Sequence, residues 1–264
     1  MFLDRELSYG DGEYEQGLDA KVYYAYIPFE DQQALPNFDS GEVGFDNISN
    51  YYHRGRFYGD DRIGDTHRVT LGLETRVVEA ATGYQRLHAE LAQMIFFNDR
   101  RVRLGRNDLP LTQRYSNLLS EMTMGLNQNW SASAFADWDW DQRAVSDFRL
   151  GVDYAKGARW QLSTGYRYKT DDGHDELSLD STWPLGRRWQ VGLRNISRLD
   201  DKQNQYSSVS LGYDDCCWAI QVNVEDEWTD DDGPQVMFTL RLKGLGSISS
   251  GEIARMYAAT ALTD

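Results

Sequence analysis

Cysteine is almost missing from this chain of 264 residues: the two present, Cys216 and Cys217, are adjacent in "LGYDDCCWAI", residues 211–220. Neighbouring cysteines close on each other only through a strained small ring, so a disulfide scaffold inside the chain is excluded. Histidine is scarce too. His53, His67, His88 and His174 are scattered, with no His-x-x-x-His or cysteine spacing that builds a zinc site, so neither metal nor cofactor is expected. Cations are outnumbered, 27 Lys and Arg against 42 Asp and Glu for a net charge of -15, with a pI near 4.7. Phosphate-backbone recognition needs clustered Lys and Arg, so nucleic acid drops out as a partner. Apolar runs are short, "MIFF" at 94–97 being typical, whereas a membrane helix needs roughly 20 apolar residues. The opening "MFLDRELSYG" shows no secretion signal, which is uninformative if the sequence starts inside a longer one.

What remains is β-type chemistry: 23 glycines, five prolines and 13% aromatic residues. In "LDAKVYYAYIP", Leu18, Ala20, Val22, Tyr24 and Tyr26 share one face and Asp19, Lys21 and Tyr23 the other. In "RVTLGLETRVV", Val69, Leu71, Leu73 and Val77 oppose Arg68, Thr70, Glu74 and Arg76. With a short opening strand at Phe2 to Leu7, the alternation predicts about 13 strands, most of roughly 9 to 11 residues. A mean hydropathy of -0.64 does not argue against a membrane, because barrel strands hide their apolar residues by alternation.

Short turns at 79–85, 127–129, 155–159, 184–188 and 214–217 alternate with links that include 28–66 and 98–115. Outer-membrane barrels have short periplasmic turns and long outer loops, so residues 214–217 are expected in the periplasm. Trp130, Trp160, Trp189 and Trp218 each follow a short turn, at spacings of 30, 29 and 29 residues. An apolar body with a polar N–H favours the membrane boundary, so the four read as a periplasmic aromatic girdle. Tyr24, Tyr26, Trp138, Trp140, Tyr166 and Tyr168 read as the outer one. The polar face carries Asp137, Asp139, Arg149, Asp153, Arg167, Lys169, Asp180, Arg194, Asn223, Glu225 and Arg241, too many polar groups for a packed core and suited to a water-filled lumen. A soluble β-propeller or solenoid is the competing architecture, but a propeller needs four strands per repeat where this chain offers two.

Catalysis has weak support: no Ser, His and acid arrangement stands out, no catalytic residue is assigned, and the chain is expected not to be an enzyme. Acidic clusters at 60–61, 171–176 and 226–233 read as solvated loops without calcium-loop spacing. For the cysteines, buried free thiols and two separate disulfide partners both stay open, the second favoured by opposed side chains on extended backbone in an oxidising compartment.

"CCWAI" between two alternating strands, "FTLRLKGLGSIS" at the end, "YYAYIPFEDQQALPNFDS" and "FYGDDRIGDTHRVTLGLETRV" together resemble the LptD family of lipopolysaccharide-assembly outer-membrane proteins, over essentially the whole chain. The family joins a periplasmic jelly roll to a barrel of about 26 strands. The resemblance implies an all-β, antiparallel transmembrane barrel, with residues 1–243 as its C-terminal half and 244–264 as a periplasmic tail. The implied role is part of the translocon that inserts lipopolysaccharide into the outer leaflet of the Gram-negative outer membrane. It further implies that Cys216 and Cys217 bond to two cysteines near the N-terminal domain. Gln235 to Lys243 would be the last strand, with Val236, Phe238, Leu240 and Leu242 at a weakly paired lateral gate. Pro234 lacks an N–H and stands at the start of that strand. Implied partners are lipopolysaccharide, the plug lipoprotein LptE, the N-terminal half and jelly roll of the same protein, the periplasmic bridge proteins and outer-membrane lipid. About 13 strands alone leave two raw edges, so the chain is expected to be a piece of a longer one. The rival functions are a porin or nutrient channel and an outer-membrane lipid hydrolase.

Overall fold

The computed structural model describes residues 2–9, 12–105, 108–157, 159–170, 173–200, 204–227, 233–244 and 246–249. The strands are β1 (Phe2–Tyr9), β2 (Gly12–Ile27), β3 (Gly41–Glu42), β4 (Phe57–Tyr58), β5 (Thr66–Glu79), β6 (Gln85–Phe96), β7 (Leu118–Gly125) and β8 (Trp130–Asp139). They continue as β9 (Ala144–Lys156), β10 (Trp160–Lys169), β11 (His174–Leu185), β12 (Trp189–Arg198), β13 (Asn204–Asp214), β14 (Trp218–Glu227), β15 (Gln235–Leu242) and β16 (Gly246–Ser249). One short helix, α1 (Ile48–Tyr51), lies between β3 and β4. The chain is all-β, and hydrogen-bonded strand order follows chain order apart from the separate β3–β4 ribbon. Each of the thirteen sequence-predicted strands is present.

Two differences from the sequence reading stand out. A short strand follows residue 243: β16 turns back on β15, pairing Leu242 with Gly246 and Thr239 with Ser249. Length alternation of the links holds only early. The link between β8 and β9 is the tight turn 140–143, because Asp139 accepts the backbone N–H groups of Asp141 and Gln142 and closes the chain at once.

The chain divides into two compact units, residues 1–125 with 133–148, and residues 126–132 with 149–264. In the first, antiparallel registers run β1–β2–β5–β6–β7, with Thr70 opposite Met94, Gly72 opposite Ala92 and Glu74 opposite Glu90. The period of two sorts the faces: Val22, Tyr24, Leu71, Leu73 and Leu91 are exposed, whereas Arg68, Thr70 and Glu74 are buried. Burial is inverted relative to a protein folded in water. What covers the polar face is the segment between β2 and β5. Ile48 and Tyr51 of α1 pack with Ala92, Met94, Phe96, Leu119 and Phe135 into the apolar core of this unit.

In the second unit the antiparallel ladder runs from β10 to β16. Val209, Leu211, Val222, Val224, Val236 and Phe238 are exposed, and the alternating positions bury Ser208, Ser210, Gln221, Asn223 and Thr239. The same inversion appears here, with Asp180, Arg194 and Glu225 in the row of Ser208 and no covering segment among the described residues.

Candidate functional site

The segment 28–65 is fastened to the polar face by hydrogen bonds from β5 and to the residue that precedes β7. Thr70 Oγ1 donates to the Tyr51 carbonyl at 2.8 Å, and Tyr51 Oη donates to the Asn117 carbonyl at 2.9 Å. Arg68, fully buried, donates to the His53 carbonyl and contacts Met94 Sδ. Asn47 caps α1 by accepting the Ser49 N–H at 2.8 Å. Further out, the Asp65 carboxylate accepts N–H groups of Arg101 and Val102, and Arg56 donates to the Val102 carbonyl. Burial pushes the Tyr51 phenol well above its ordinary pKa and lowers that of Arg56 and, to about 10, that of Arg100. Gly72 lies beneath this strap, and a Cβ there would come 1.8 Å from Tyr52 Oη, so the Tyr52 ring would have to shift.

Below the strap is a charge cluster built by cross-strand register. Lys21 Nζ lies 2.5 Å from Glu74 and 2.9 Å from Glu90, Arg76 pairs with Glu74, and His88 Nε2 is 3.0 Å from Glu74 Oε1. Ligand-type atoms of Glu74, His88 and Glu90 lie within 4.8 Å of one another. The Lys21 ammonium takes the place a metal would, so the donor set is already neutralised and serves to join β2, β5 and β6. Sequence reading did not single out this group. Its signal was the placing of Lys21, Glu74, His88 and Glu90 on one face once the register is known.

Cys216 and Cys217 occupy the turn between β13 and β14, closed by the Asp215 N–H donating to the Trp218 carbonyl at 2.9 Å. Both are exposed and free, with sulfurs 2.8 Å apart. The expectation of opposed side chains on extended backbone is therefore corrected: residues 216 and 217 form the bend itself, and a bend converges neighbouring side chains. The adjacent sulfur holds the Cys216 thiol above its ordinary pKa. Two cations clamp the turn from either side. Arg188 Nη1 donates to Tyr213 Oη at 3.0 Å and Asp215 at 3.1 Å, while Lys243 Nζ donates to Asp214 and to the Asp215 carbonyl, both at 2.6 Å.

Trp130, Trp160, Trp189 and Trp218 are the first residues of β8, β10, β12 and β14, all partly exposed. Trp130 stacks with Tyr154 at 4.8 Å, and Tyr213 contacts both Trp189 (4.9 Å) and Trp218 (5.2 Å). On β15, Val236, Phe238 and Leu242 are exposed on the apolar side with Leu240 half-buried. β15 is flanked by β14 throughout and by β16 over Thr239–Leu242. Residues 171–172, 228–232 and 250–264, which include much of two acidic clusters and most of the expected tail, lie outside the described residues.

A family model described as LptD, LPS transport system D, matches residues 1–189. The LPS-assembly protein LptD of Nitrosomonas eutropha is 33% identical over 223 residues, covering 84% of this chain and 30% of that protein. The protein of the same name from Thiobacillus denitrificans is 31% identical over 260 residues, 96% of this chain and 35% of its own length. That from Acinetobacter baumannii is 30% identical over 266 residues, 94% and 32%. The chain thus spans about a third of the length of the curated relatives it matches.

Proposed function

Because the chain belongs to the LptD family of LPS transport proteins, we propose that it forms the C-terminal half of an outer-membrane barrel that inserts lipopolysaccharide into the outer leaflet. The observation that carries this reading is the inverted burial: valine, leucine and tyrosine face outward in rows while arginine, glutamate, serine and asparagine are turned inward. A sheet built this way puts its apolar side against hydrocarbon and its polar side against a wet interior, which suits a cargo with both acyl chains and sugars. Transport and not catalysis is the work, and the energy comes from elsewhere.

The sheet order has two ends, β1 and β16, and a bilayer tolerates neither as a free edge. The N-terminal half of the full-length protein completes it in this reading. Sugars pass through the polar interior while acyl chains leave sideways at a seam formed by β15 and the short β16 that pairs with its Thr239–Leu242 half, with Val236, Phe238, Leu240 and Leu242 on the apolar side. Residues 244–264 run on the periplasmic side, where the four tryptophans form the girdle. Cys216 and Cys217, exposed in a turn on that side, bond to two cysteines near the periplasmic jelly roll. The plug lipoprotein LptE and the periplasmic bridge proteins are the remaining partners.

Two experiments on the full-length protein test this. Non-reducing peptide mapping from native membranes should link Cys216 and Cys217 to cysteines far upstream; free thiols would remove that part of the reading. Depletion of the protein should leave lipopolysaccharide off the cell surface, and normal surface levels after depletion would remove the transport function itself.

A further inference from the structure

At the outer end of β2, β5 and β6, the apolar face terminates in a ladder of rings. Tyr24 and Tyr26 lie edge-on to His67 at 5.7 and 5.2 Å, and His67 meets Phe97 at 4.8 Å. These side chains continue the row of Leu71, Leu73 and Leu91, so the ladder stands where that row meets the polar links. Beside the ladder opens a cavity of about 460 Å³ whose rim carries Arg101 and Arg114.

The charges at this rim run against the chain as a whole, which is net -15. Arg101 Cζ lies over the Phe29 ring, 3.8 Å from its centroid, and Arg114 gives one N–H to the Phe97 carbonyl at 3.0 Å. Neither guanidinium has a carboxylate partner among the described residues, and both are exposed. Two carboxylates line the cavity. Asp65 is committed to the N–H groups of Arg101 and Val102 and lies 4.0 Å from Arg56, which leaves Asp99 alone against two arginines. Planar guanidiniums held by stacking or by one fixed hydrogen bond keep their remaining N–H groups aimed for a phosphate at little entropic cost. Rings at a membrane boundary accept the junction between headgroup and chain.

We propose that this cavity docks the phosphorylated headgroup of an outer-leaflet glycolipid, with its acyl chains laid along the apolar face of β2, β5 and β6. The site is on the bilayer side of the sheet and is distinct from the seam beside β15; it rests on the outer-membrane reading above. Arg101 and Arg114 bind the phosphate, Phe29 and Phe97 fix those two side chains, and Tyr26 and His67 form the apolar floor.

The test uses full-length protein in phosphatidylcholine nanodiscs doped with photoactivatable lipid A, followed by peptide mapping. Labelling should concentrate on the peptides carrying Tyr26 and Phe97–Arg114. It should fall about a hundredfold in the Arg101→Gln/Arg114→Gln variant, roughly tenfold for each of the two charge-assisted phosphate contacts removed. Dephosphorylated lipid on the unaltered protein should label equally weakly, which keeps the result independent of how the variant folds. Even labelling along β5 and β6, or equal labelling by the dephosphorylated lipid, would overturn the docking site while leaving the outer-membrane reading intact. Protection by inorganic phosphate as strong as by lipid A would make this a free-phosphate site and overturn lipid docking. Failure of the full-length protein to enter nanodiscs would overturn the membrane reading, and the docking site with it.

Discussion

The polar faces of the two units solve one problem in different ways. In the first, long charged side chains on β2, β5 and β6 pair with one another beneath the 28–65 strap, and Ile48 and Tyr51 fill the remaining space. In the second, the inward positions mix Thr182, Ser208, Ser210, Gln221, Asn223 and Thr239 with Asp180, Arg194 and Glu225, and Gln221 Oε1 and Thr239 Oγ1 have no partner among the described residues. A strapped face has to satisfy most of its groups internally, because water is excluded, although Arg56 Nε, Thr66 Oγ1 and Arg68 Nε beside the strap go without a partner among the described residues. An unstrapped face can leave its charged groups to water, and Asp180 and Arg194 are half exposed, whereas the Gln221 and Thr239 oxygens are shut in by their neighbours. The length of one link, 28–65 in the first unit, decides which solution applies.

The most damaging way to break the contrast is to empty the strap's anchor. Tyr51→Ala should cost the first unit roughly 3–5 kcal/mol as an unfilled cavity, read as rapid protease cleavage within 28–65 of the full-length protein while the heat-resistant barrel persists. Cleavage no faster than in the unaltered protein would mean the strap is held by its hydrogen bonds and not by its core. The outward faces should by contrast behave alike. Leu73→Arg on β5 and Leu211→Arg on β13 should each cost about 2–4 kcal/mol near the bilayer midplane, measured by reversible unfolding in lipid vesicles. A loss confined to one of the two would mean that only one unit faces hydrocarbon.

Smaller effects sharpen the inner faces. Thr239→Val should stabilise by about 1 kcal/mol, since the hydroxyl is buried and has no partner among the described residues. A change below about 0.5 kcal/mol would show that water reaches the hydroxyl. Least of all is the pH response of the strap. The N–H groups of Phe38 and then Asp39 hold the Asp61 carboxyl below its ordinary pKa. Its folded-state value is depressed, so its contribution is present above the unfolded value of about 4 and is lost as pH falls through the lower folded value. Hydrogen exchange at Phe38 and Asp39 should therefore speed up only in that acid window, and Asp61→Asn should flatten the profile.

Much of this was legible in the residues. Alternation in "RVTLGLETRVV" placed Arg68, Thr70 and Glu74 on the inward face before any register was known, and the tryptophan spacing marked where β8, β10, β12 and β14 begin. The strap was not legible, because 28–65 has no sustained period and its three elements span only two to four residues each. A clue did exist: Met94 and Phe96 are apolar at positions where the alternation of β6 demands polar groups, so something apolar had to lie over them. "MIFF" is apolar on both faces for that reason.

The convergence of Cys216 and Cys217 was hidden differently. Whether neighbouring side chains diverge or meet depends on backbone dihedrals at the bend, which the adjacent Asp215 and the flanking Arg188 and Lys243 help to fix. Those two cations are distant in sequence and come from turns on either side. The sequence by itself determined the two-sided strands, their ends and their inverted chemistry, since a period of two is a local property of extended backbone. Only the tertiary structure decided which polar face is covered, that Lys21 meets Glu74 and Glu90, and that unpaired arginines stand over a ring ladder. These depend on register and on where a long link returns, and both are set by contacts between residues far apart in the chain.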